Sequence, residues 1–244
     1  MSKYDVLVIG GATTGCYYAR LLAKKGIKVK VIESNAKGKV GRFDIVHMRR
    51  EDFDTFNLPK VHEGDGIWAF AFEENYLASP SNKVHVYAPD PVVGMHMPEY
   101  IAKLTSWAEE AGAEFEFGAS FDSFIFENGK IAGVKYKVGD EIKEDNAKIV
   151  VDASGMAAVG RLSLPADYGM ETNKLGPNDM FYVVLRYYTL DDKDAKNMFW
   201  ANYKTWIAPA SNIPGQKIFG IGACQSFDYA EERYKYFEDG VKDL

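Results

Sequence analysis

The chain has 244 residues, of which 47% are apolar, so it is long enough to bury a sizeable core as one large domain or two small ones. Its net charge is −6 at pH 7 and its lysines are scattered among acids, which argues against a nucleic-acid partner. With only Cys16 and Cys224, the sequence has neither a disulfide framework nor a cysteine-held metal site, and we expect no metal. No leader-like segment or long apolar run is present, which predicts a cytoplasmic protein that makes at most a peripheral contact with a membrane.

The sequence opens with a βαβ pattern over residues 4–33. Residues 5–9 read D-V-L-V-I, a run without alternation that is typical of a parallel strand covered on both faces. Residues 16–25 place their apolar side chains on one helical stripe, and Gly26 supplies a stop. Residues 27–32 then predict the second parallel strand.

Later elements are less regular. The sequence predicts a helix over residues 98–111, a hairpin around Asn128-Gly129, and a cluster of acids between residues 140 and 145 that we interpret as a solvated turn. Predicted strands cover residues 67–72, 84–88, 114–117, 121–127, 131–138, 147–151, 181–190, 197–207 and 217–224. The last three are rich in aromatic residues and predict a second, sheet-based region that could wall an apolar cavity, although sheet core is the simpler interpretation.

The turn between the first strand and the helix carries the sequence Gly10-Gly11-Ala12-Thr13-Thr14-Gly15. Backbone N–H groups at this place, together with the positive helix end, are suited to a pyrophosphate, and Glu33 at the end of the second strand is placed to accept hydrogen bonds from a ribose. A P-loop is excluded because Cys16 and Tyr17 follow Gly15 where Lys and Ser or Thr would be needed. Glycines at such a turn can also serve the turn alone, but the added acid favours a dinucleotide.

Beyond this loop the chain resembles the flavoprotein group that contains geranylgeranyl reductases and the aromatic-hydroxylase-like FAD oxidoreductases. The resemblance rests on stretches with the family's order of motifs: residues 111–114, Phe121, residues 128–134, residues 150–155 (V-V-D-A-S-G), Arg161, residues 203–209 (Y-K-T-W-I-A-P) and residues 220–222. It implies FAD as cofactor. It also implies a set of cofactor-binding residues: Gly10, Ala12, Thr14, Gly15, Glu33, Arg42, Phe121, Asp152 and Gly155.

The resemblance implies an α/β fold: a Rossmann-like FAD-binding domain, with a GR2-type βαβ unit and an inserted β-hairpin, plus a mostly antiparallel β substrate region. We place the FAD-binding domain at residues 1–160, with part of 60–95 contributing substrate-side strands, and the substrate region at 161–244. The implied activity is that of an FAD-dependent, geranylgeranyl-reductase-like oxidoreductase. Its substrate would be a small apolar isoprenoid or aromatic compound, and its electron donor a reduced nicotinamide or a protein.

Three departures from the family keep alternatives open. Ala12 stands where the second glycine is usual, Met97 stands where a basic residue is common, and the family's Gly-Asp segment does not follow the last predicted strand. Either the chain is a truncated portion of a longer protein, or it has diverged in cofactor binding. An NAD(P)-dependent dehydrogenase and a non-catalytic binding protein that kept the fold are the two alternatives, and no catalytic residue is identified.

Overall fold

A computed structural model describes residues 3–41, 45–79, 83–176, 179, 182–189, 205–209, 216–223 and 227–241. Two compact units are formed, one from residues 1–44 and 97–174 and the other from residues 45–96 and 175–244. In chain order the elements are β1 (Tyr4–Ile9), α1 (Thr13–Ala23), β2 (Val29–Glu33), β3 (Ile45–Arg49), α2 (Arg50–Thr55), β4 (Trp68–Ala78), β5 (His85–His96), α3 (Met97–Glu109), β6 (Glu114–Phe117), β7 (Ala119–Glu127), β8 (Lys130–Val138), β9 (Glu141–Asp152), β10 (Tyr182–Thr189), β11 (Thr205–Pro209), β12 (Gln216–Ala223) and α4 (Phe227–Val241).

The first unit is built on a six-stranded sheet with the order β6-β2-β1-β9-β8-β7. Strands β6, β2, β1 and β9 run parallel, and β9, β8 and β7 continue as an antiparallel meander. Because the carboxyl ends of parallel strands lie at the same edge of a sheet, the loops after β1, β2 and β9 are neighbours.

Both faces of this sheet are covered by apolar side chains. One face packs against the helices, with Val8 and Val31 beside Ala19 of α1 and Ala108 of α3. On the other face, residues of β1 and β2 such as Leu7 pack with Val134 of β8. Burial on both faces explains why β1 reads as a continuous apolar run rather than as an alternating one.

A buried polar network joins the parallel strands to the hairpin. The Lys30 ammonium, on β2, donates hydrogen bonds to Asp145 (2.7 Å), Glu116 (2.7 Å) and the Tyr136 hydroxyl (2.8 Å). Burial alone lowers the pKa of Lys30, but its hydrogen bonds to Asp145, Glu116 and Tyr136 raise that pKa above the ordinary value. Likewise, burial alone raises the pKa of Asp145, but the hydrogen bonds from Lys3 and Lys30 lower it below the ordinary value. Both groups therefore stay charged inside the unit.

This network corrects one sequence prediction. The acids at residues 140–145 were expected to form a solvated turn, yet β9 begins at Glu141 and the Asp145 side chain is buried. The partner that draws Asp145 inward is Lys30, which lies 115 positions away in the sequence. Local charge patterning contains no signal of such a distant ion pair.

The second unit contains two antiparallel three-stranded sheets, with the orders β3-β5-β4 and β10-β12-β11. Helix α4 packs on β10 and β12. The guanidinium of Arg186, on β10, pairs with Glu231 and Glu238 of α4 and lies over the Tyr234 ring. These charged contacts attach the acidic, Tyr-rich end of the chain to the sheet.

The predicted fold class, an α/β fold with a parallel and an antiparallel sheet, is confirmed. The predicted βαβ unit, the helix after residue 97 and the Asn-Gly hairpin are all present, with bounds shifted by one to three residues. Of the predicted strand at residues 197–207, residues 197–204 lie outside the described residues. Sequence reasoning missed β3, α2 and α4. The assignment of residues 1–160 to FAD and 161–244 to substrate stays a prediction.

No described helix is both long and apolar enough to cross a bilayer.

We predict that Asp145→Asn lowers the free energy of unfolding by about 1.5–3 kcal/mol, because the buried Lys30 ammonium loses one of its two carboxylate partners and keeps only Glu116. Urea unfolding at pH 7 measures this loss. The native pKa of Asp145 is lowered, so its contribution is complete above the unfolded-state pKa of about 3.9 and is lost as the pH falls through the native value. The difference in the free energy of unfolding between wild type and variant should therefore disappear in acid.

Glu144→Gln is the matched control, since Glu144 is an exposed neighbour whose ion pair with Lys135 lies at the surface. We expect Glu144→Gln to lower the free energy of unfolding by no more than about 1 kcal/mol. Equal losses in the two variants would contradict a special role for the buried pair.

Candidate functional site

The site is formed where three loops meet at the carboxyl edge of the parallel sheet. Ile9 and Asp152 are register partners at the ends of β1 and β9, and the Ala153 N–H donates to the Ile9 carbonyl at 2.8 Å. On the other side of β1, the Gly10 N–H donates to the Ile32 carbonyl at 2.8 Å. The structure thus brings together the predicted residues of the glycine loop, the acid after β2 and the segment after β9.

Gly10 and Gly15 are required by close backbone approach. Gly10 has φ +101°, and a Cβ there would lie 2.5 Å from the Ala153 carbonyl oxygen. A Cβ on Gly15 would lie 1.9 Å from the Gly10 carbonyl oxygen, far inside any tolerated contact. These two glycines therefore let α1 start directly against the end of β1 and let the loop after β9 lie beside it.

The amino end of α1 carries no capping side chain. Ala12 is the cap residue and makes no side-chain hydrogen bond to the helix, and the first intrahelical donor is the Cys16 N–H, which bonds the Ala12 carbonyl at 2.9 Å. The side chain of Thr14, in the first turn, is exposed. Among the described residues, the cap position offers no side chain to the helix N–H groups before Cys16, and a helix start of this kind, with the positive end of the helix dipole, suits an anion.

Ala12 has an ordinary extended backbone, with φ −82° and ψ −159°. The position does not need the conformational freedom of glycine in this loop. Replacement of the usual second glycine by alanine therefore adds a methyl group without straining the backbone.

Glu33 is buried and its carboxylate holds the glycine loop. Its Oε2 accepts the Gly11 N–H at 2.7 Å, and its Oε1 accepts the backbone N–H and the side-chain amide of Asn35 at 2.8 and 2.7 Å. With one donor on Oε2 among the described residues, that oxygen has a lone pair that suits a ligand hydroxyl. The acid is thus oriented by the chain before any ligand binds.

The next peptide group, between Gly11 and Ala12, is held by Cys16. Its thiol donates to the Gly11 carbonyl at 3.1 Å, and its sulfur lies 3.6 Å from the Thr105 hydroxyl of α3. Burial raises the pKa of the Cys16 thiol to about 11, so it stays protonated and able to donate.

Asp152 shapes the loop that follows β9. Its Oδ1 accepts from the N–H and the hydroxyl of Ser154 at 3.0 and 2.6 Å, and its Oδ2 accepts the Arg161 N–H at 2.7 Å. Gly160 lies close beside it, since a Cβ there would lie 2.9 Å from the carboxylate and would make the Asp152 side chain move. Gly155, at φ +66°, is exposed within this loop.

The predicted contact residue Phe121 lies on a strand of the same sheet rather than in one of these three loops. Phe121 lies on β7, with its ring packed edge-to-face on Phe124 at 5.0 Å, and β7 is preceded by Gly118, whose N–H donates to the Asn35 carbonyl at 3.0 Å. The hairpin thus begins beside the segment that carries Glu33, while the Phe121 side chain belongs to the core. Arg42 lies outside the described residues.

Four residues that complete this arrangement were not predicted. Gly11 and Asn35 hold Glu33, Cys16 holds Gly11, and Gly160 makes room for Asp152. An asparagine two residues after an acid is a local signal of a side-chain turn, so Asn35 was within reach of sequence reasoning. The role of Gly160 could not be predicted from the sequence, because it depends on contacts that form only when the loop is folded.

A separate cavity of about 370 Å³ lies wholly within the second unit. Its cationic residues Arg50 and Lys60 pair with Glu73 at 2.5 Å and Asp54 at 2.7 Å. Both cations of the lining are thus already paired with carboxylates.

We predict that Gly15→Ala lowers the melting temperature by several degrees, because the new methyl group forces the Gly10 carbonyl and α1 apart at a cost of about 1–3 kcal/mol. Thermal unfolding followed by circular dichroism measures the change. Gly66→Ala is the control, since a Cβ at Gly66 meets no atom within 4 Å. A Gly15→Ala protein as stable as the control would contradict the close approach.

Comparison with known proteins places this geometry in a family. A family model described as an FAD-binding domain matches residues 3–212. A digeranylgeranylglycerophospholipid reductase from Haloferax volcanii is 30% identical over 165 residues, which covers 64% of this chain and 36% of that protein. The corresponding reductase from Thermoplasma acidophilum is 24% identical over 262 residues, covering 96% of this chain and 60% of the relative. The chain thus spans 60% or less of the length of these two relatives.

The fold has a counterpart among solved structures. A geranylgeranyl bacteriochlorophyll reductase-like protein from Thermoplasma acidophilum superposes with a TM-score of 0.76 at 22% identity, covering 98% of this chain and 62% of that one. The likeness supports the fold, and the comparisons do not favour an NAD(P)-dependent dehydrogenase or a non-catalytic binding protein. By the match over most of its length, this chain belongs to the FAD-binding domain family, and its cofactor is FAD.

Proposed function

We propose that the chain forms the FAD-binding part, and some of the substrate-binding part, of an oxidoreductase of the geranylgeranyl-reductase type. The substrate would be an apolar isoprenoid, with reduction of its carbon–carbon double bonds as the reaction. The electrons would come from a reduced nicotinamide or from a protein donor. A cytoplasmic location accompanies this proposal.

The observation that carries the proposal is the Glu33–Gly11 hydrogen bond beside the uncapped start of α1. It places a buried carboxylate beside a helix start whose cap residue, Ala12, offers no side-chain acceptor, and this pair of features suits the ribose and the pyrophosphate of one dinucleotide. The activity for which the relatives are named, reduction of a digeranylgeranylglycerophospholipid, supports the isoprenoid class of substrate.

We assign different parts of FAD to different residues of the site. Gly10, Ala12, Thr14 and Gly15 form the loop that would receive the pyrophosphate on backbone N–H groups. Glu33 would accept a hydrogen bond from the adenosine ribose. The remaining predicted contacts lie in the loop after β9, at Asp152 and Gly155, at Phe121 on β7, and at Arg42.

Bound flavin supplies hydride transfer. The chain therefore has to bind and orient the flavin and the substrate and to shield them from water, and it does not have to provide a nucleophile. Asp152 would act on the cofactor by fixing the loop around it, since both of its oxygens already accept hydrogen bonds from that loop. We assign no catalytic residue.

We predict that Glu33→Gln weakens FAD binding about tenfold to a hundredfold, the equivalent of one hydrogen bond to a charged acceptor. The amide also places an N–H group toward the donors of Gly11 or Asn35, which loosens the loop. Quenching of flavin fluorescence on titration with the protein measures the dissociation constant. Glu127→Gln, at an exposed position beside the Asn-Gly turn, should leave it unchanged. Equal affinity of the Glu33→Gln variant and the wild type would contradict the assigned ribose contact.

The activity is tested with FAD-loaded protein, a chemical reductant such as dithionite under anaerobic conditions, and a geranylgeranyl-bearing glycerophospholipid. We expect a mass gain of two hydrogens for each reduced double bond and reoxidation of the flavin. Flavin that is reduced but is never reoxidised by the lipid would contradict the proposed substrate class.

A further inference from the structure

The peptide group between Gly11 and Ala12 has its orientation set by a buried side chain. The Gly11 carbonyl accepts the Cys16 thiol hydrogen at an S···O distance of 3.1 Å, and Cys16 is fully buried. The C=O and the N–H of one trans peptide group point in opposite directions, and the described residues include no cis peptide bond. The Ala12 N–H therefore points away from the buried thiol, and it has no acceptor among the described residues.

The opposite orientation of this peptide would be unfavourable for an anion. Half a turn of the peptide would exchange its two polar groups, so that a carbonyl oxygen would stand where the Ala12 N–H stands now. Gly11 has no side chain and opposes such a rotation only weakly. The hydrogen bond from Cys16 opposes it, because the rotated carbonyl would lose this donor.

Ala12 opposes the same rotation from the other end of the peptide. Its φ is −82°, and half a turn would bring that angle to roughly +98°, in a region that residues with a side chain rarely adopt. A glycine at this position would accept the new angle at little cost. The alanine that replaces the usual second glycine thus restricts the peptide to one orientation.

Thr105 of α3 holds the sulfur of Cys16. Its hydroxyl oxygen lies 3.6 Å from the sulfur, and the residue is 3% exposed. A thiol has one hydrogen, and in Cys16 this hydrogen is directed to the Gly11 carbonyl. The Thr105 hydroxyl is therefore the donor in its contact with the sulfur, and it fixes the side chain that holds the loop.

We propose that Cys16, supported by Thr105, is a positioning residue for FAD, which directs the Ala12 N–H to the pyrophosphate, and that Ala12 prevents the rotation that would reverse this peptide. The inference rests on the proposed binding of the pyrophosphate at this loop. It assigns a function to the methyl group at the second-glycine position, which keeps a carbonyl oxygen from turning toward an anion.

The first test compares Cys16→Ala with Cys16→Ser by titration with FAD, followed through the quenching of flavin fluorescence. Cys16→Ala removes the donor to Gly11 and should weaken FAD binding about threefold to tenfold, as expected for one net hydrogen bond. Cys16→Ser keeps an O–H donor and should recover most of this loss. If Cys16 only filled space, the serine variant would bind FAD no better than the alanine variant, because serine places a polar group in the same buried position.

The second test is a double-mutant cycle on Cys16 and Ala12, the two residues that hold the peptide. In the wild type, Cys16 still opposes the rotation when Ala12 is replaced by glycine. In the Cys16→Ala background, neither restraint remains after Ala12→Gly. The loss of affinity caused by Ala12→Gly should therefore be about threefold or more larger in that background than in the wild type. Additive effects would overturn the role of Ala12.

Ala19→Gly is the matched control, since it also removes a buried group from α1, in the turn after Cys16. It should lower the melting temperature and leave the affinity for FAD unchanged. Thr105→Val keeps both loop residues and should weaken FAD binding about twofold to threefold. It provides the test if the Cys16 variants do not fold, as judged by circular dichroism, and unchanged affinity would then contradict the proposal.

FAD affinity is measured here without substrate or reductant, so the positioning role and the proposed function fail in different ways. Wild-type protein that binds FAD, with equal affinities in Cys16→Ala and Cys16→Ser, would overturn the positioning role alone. Wild-type protein that does not bind FAD would overturn both.

Discussion

The site depends on one steric constraint, the contact between the Gly10 carbonyl and the position of Gly15. With no side chain at either residue, α1 begins against the end of β1, and the loop after β9 lies against Gly10. The helix N–H groups and the acid after β2 are thereby brought to one edge of the sheet. Any side chain at Gly15 has to move backbone rather than a flexible neighbour, and so the constraint is rigid.

The loop is then fixed by hydrogen bonds within the chain. Glu33 accepts the Gly11 N–H and Cys16 donates to the Gly11 carbonyl, so the two peptide groups that flank the Gly11 Cα are both oriented by the chain. Because the loop is already ordered, less conformational entropy is lost when a ligand binds to it. This arrangement also explains how Ala12 is compatible with the loop, because the conformation is set at Gly11 and at the ordinary backbone angles of Ala12.

Sequence patterns predicted the parts of this site that depend on local chemistry. The apolar run of β1, the spacing of Gly10 and Gly15, and the position of Glu33 all follow from rules that act over about thirty residues. Features that depend on distant partners were missed or misread. Asp145 was expected in a solvated turn because its partner Lys30 belongs to another strand, and the close approach of Gly160 arises only when Asp152 folds back over its own loop.

The central claim, that residues of this chain hold FAD, is tested most directly by the visible absorption spectrum of the purified protein after incubation with FAD and removal of unbound flavin by desalting. The account predicts flavin absorption bands that survive desalting, with about one FAD per chain. A folded protein that remains colourless after exposure to excess FAD would contradict it.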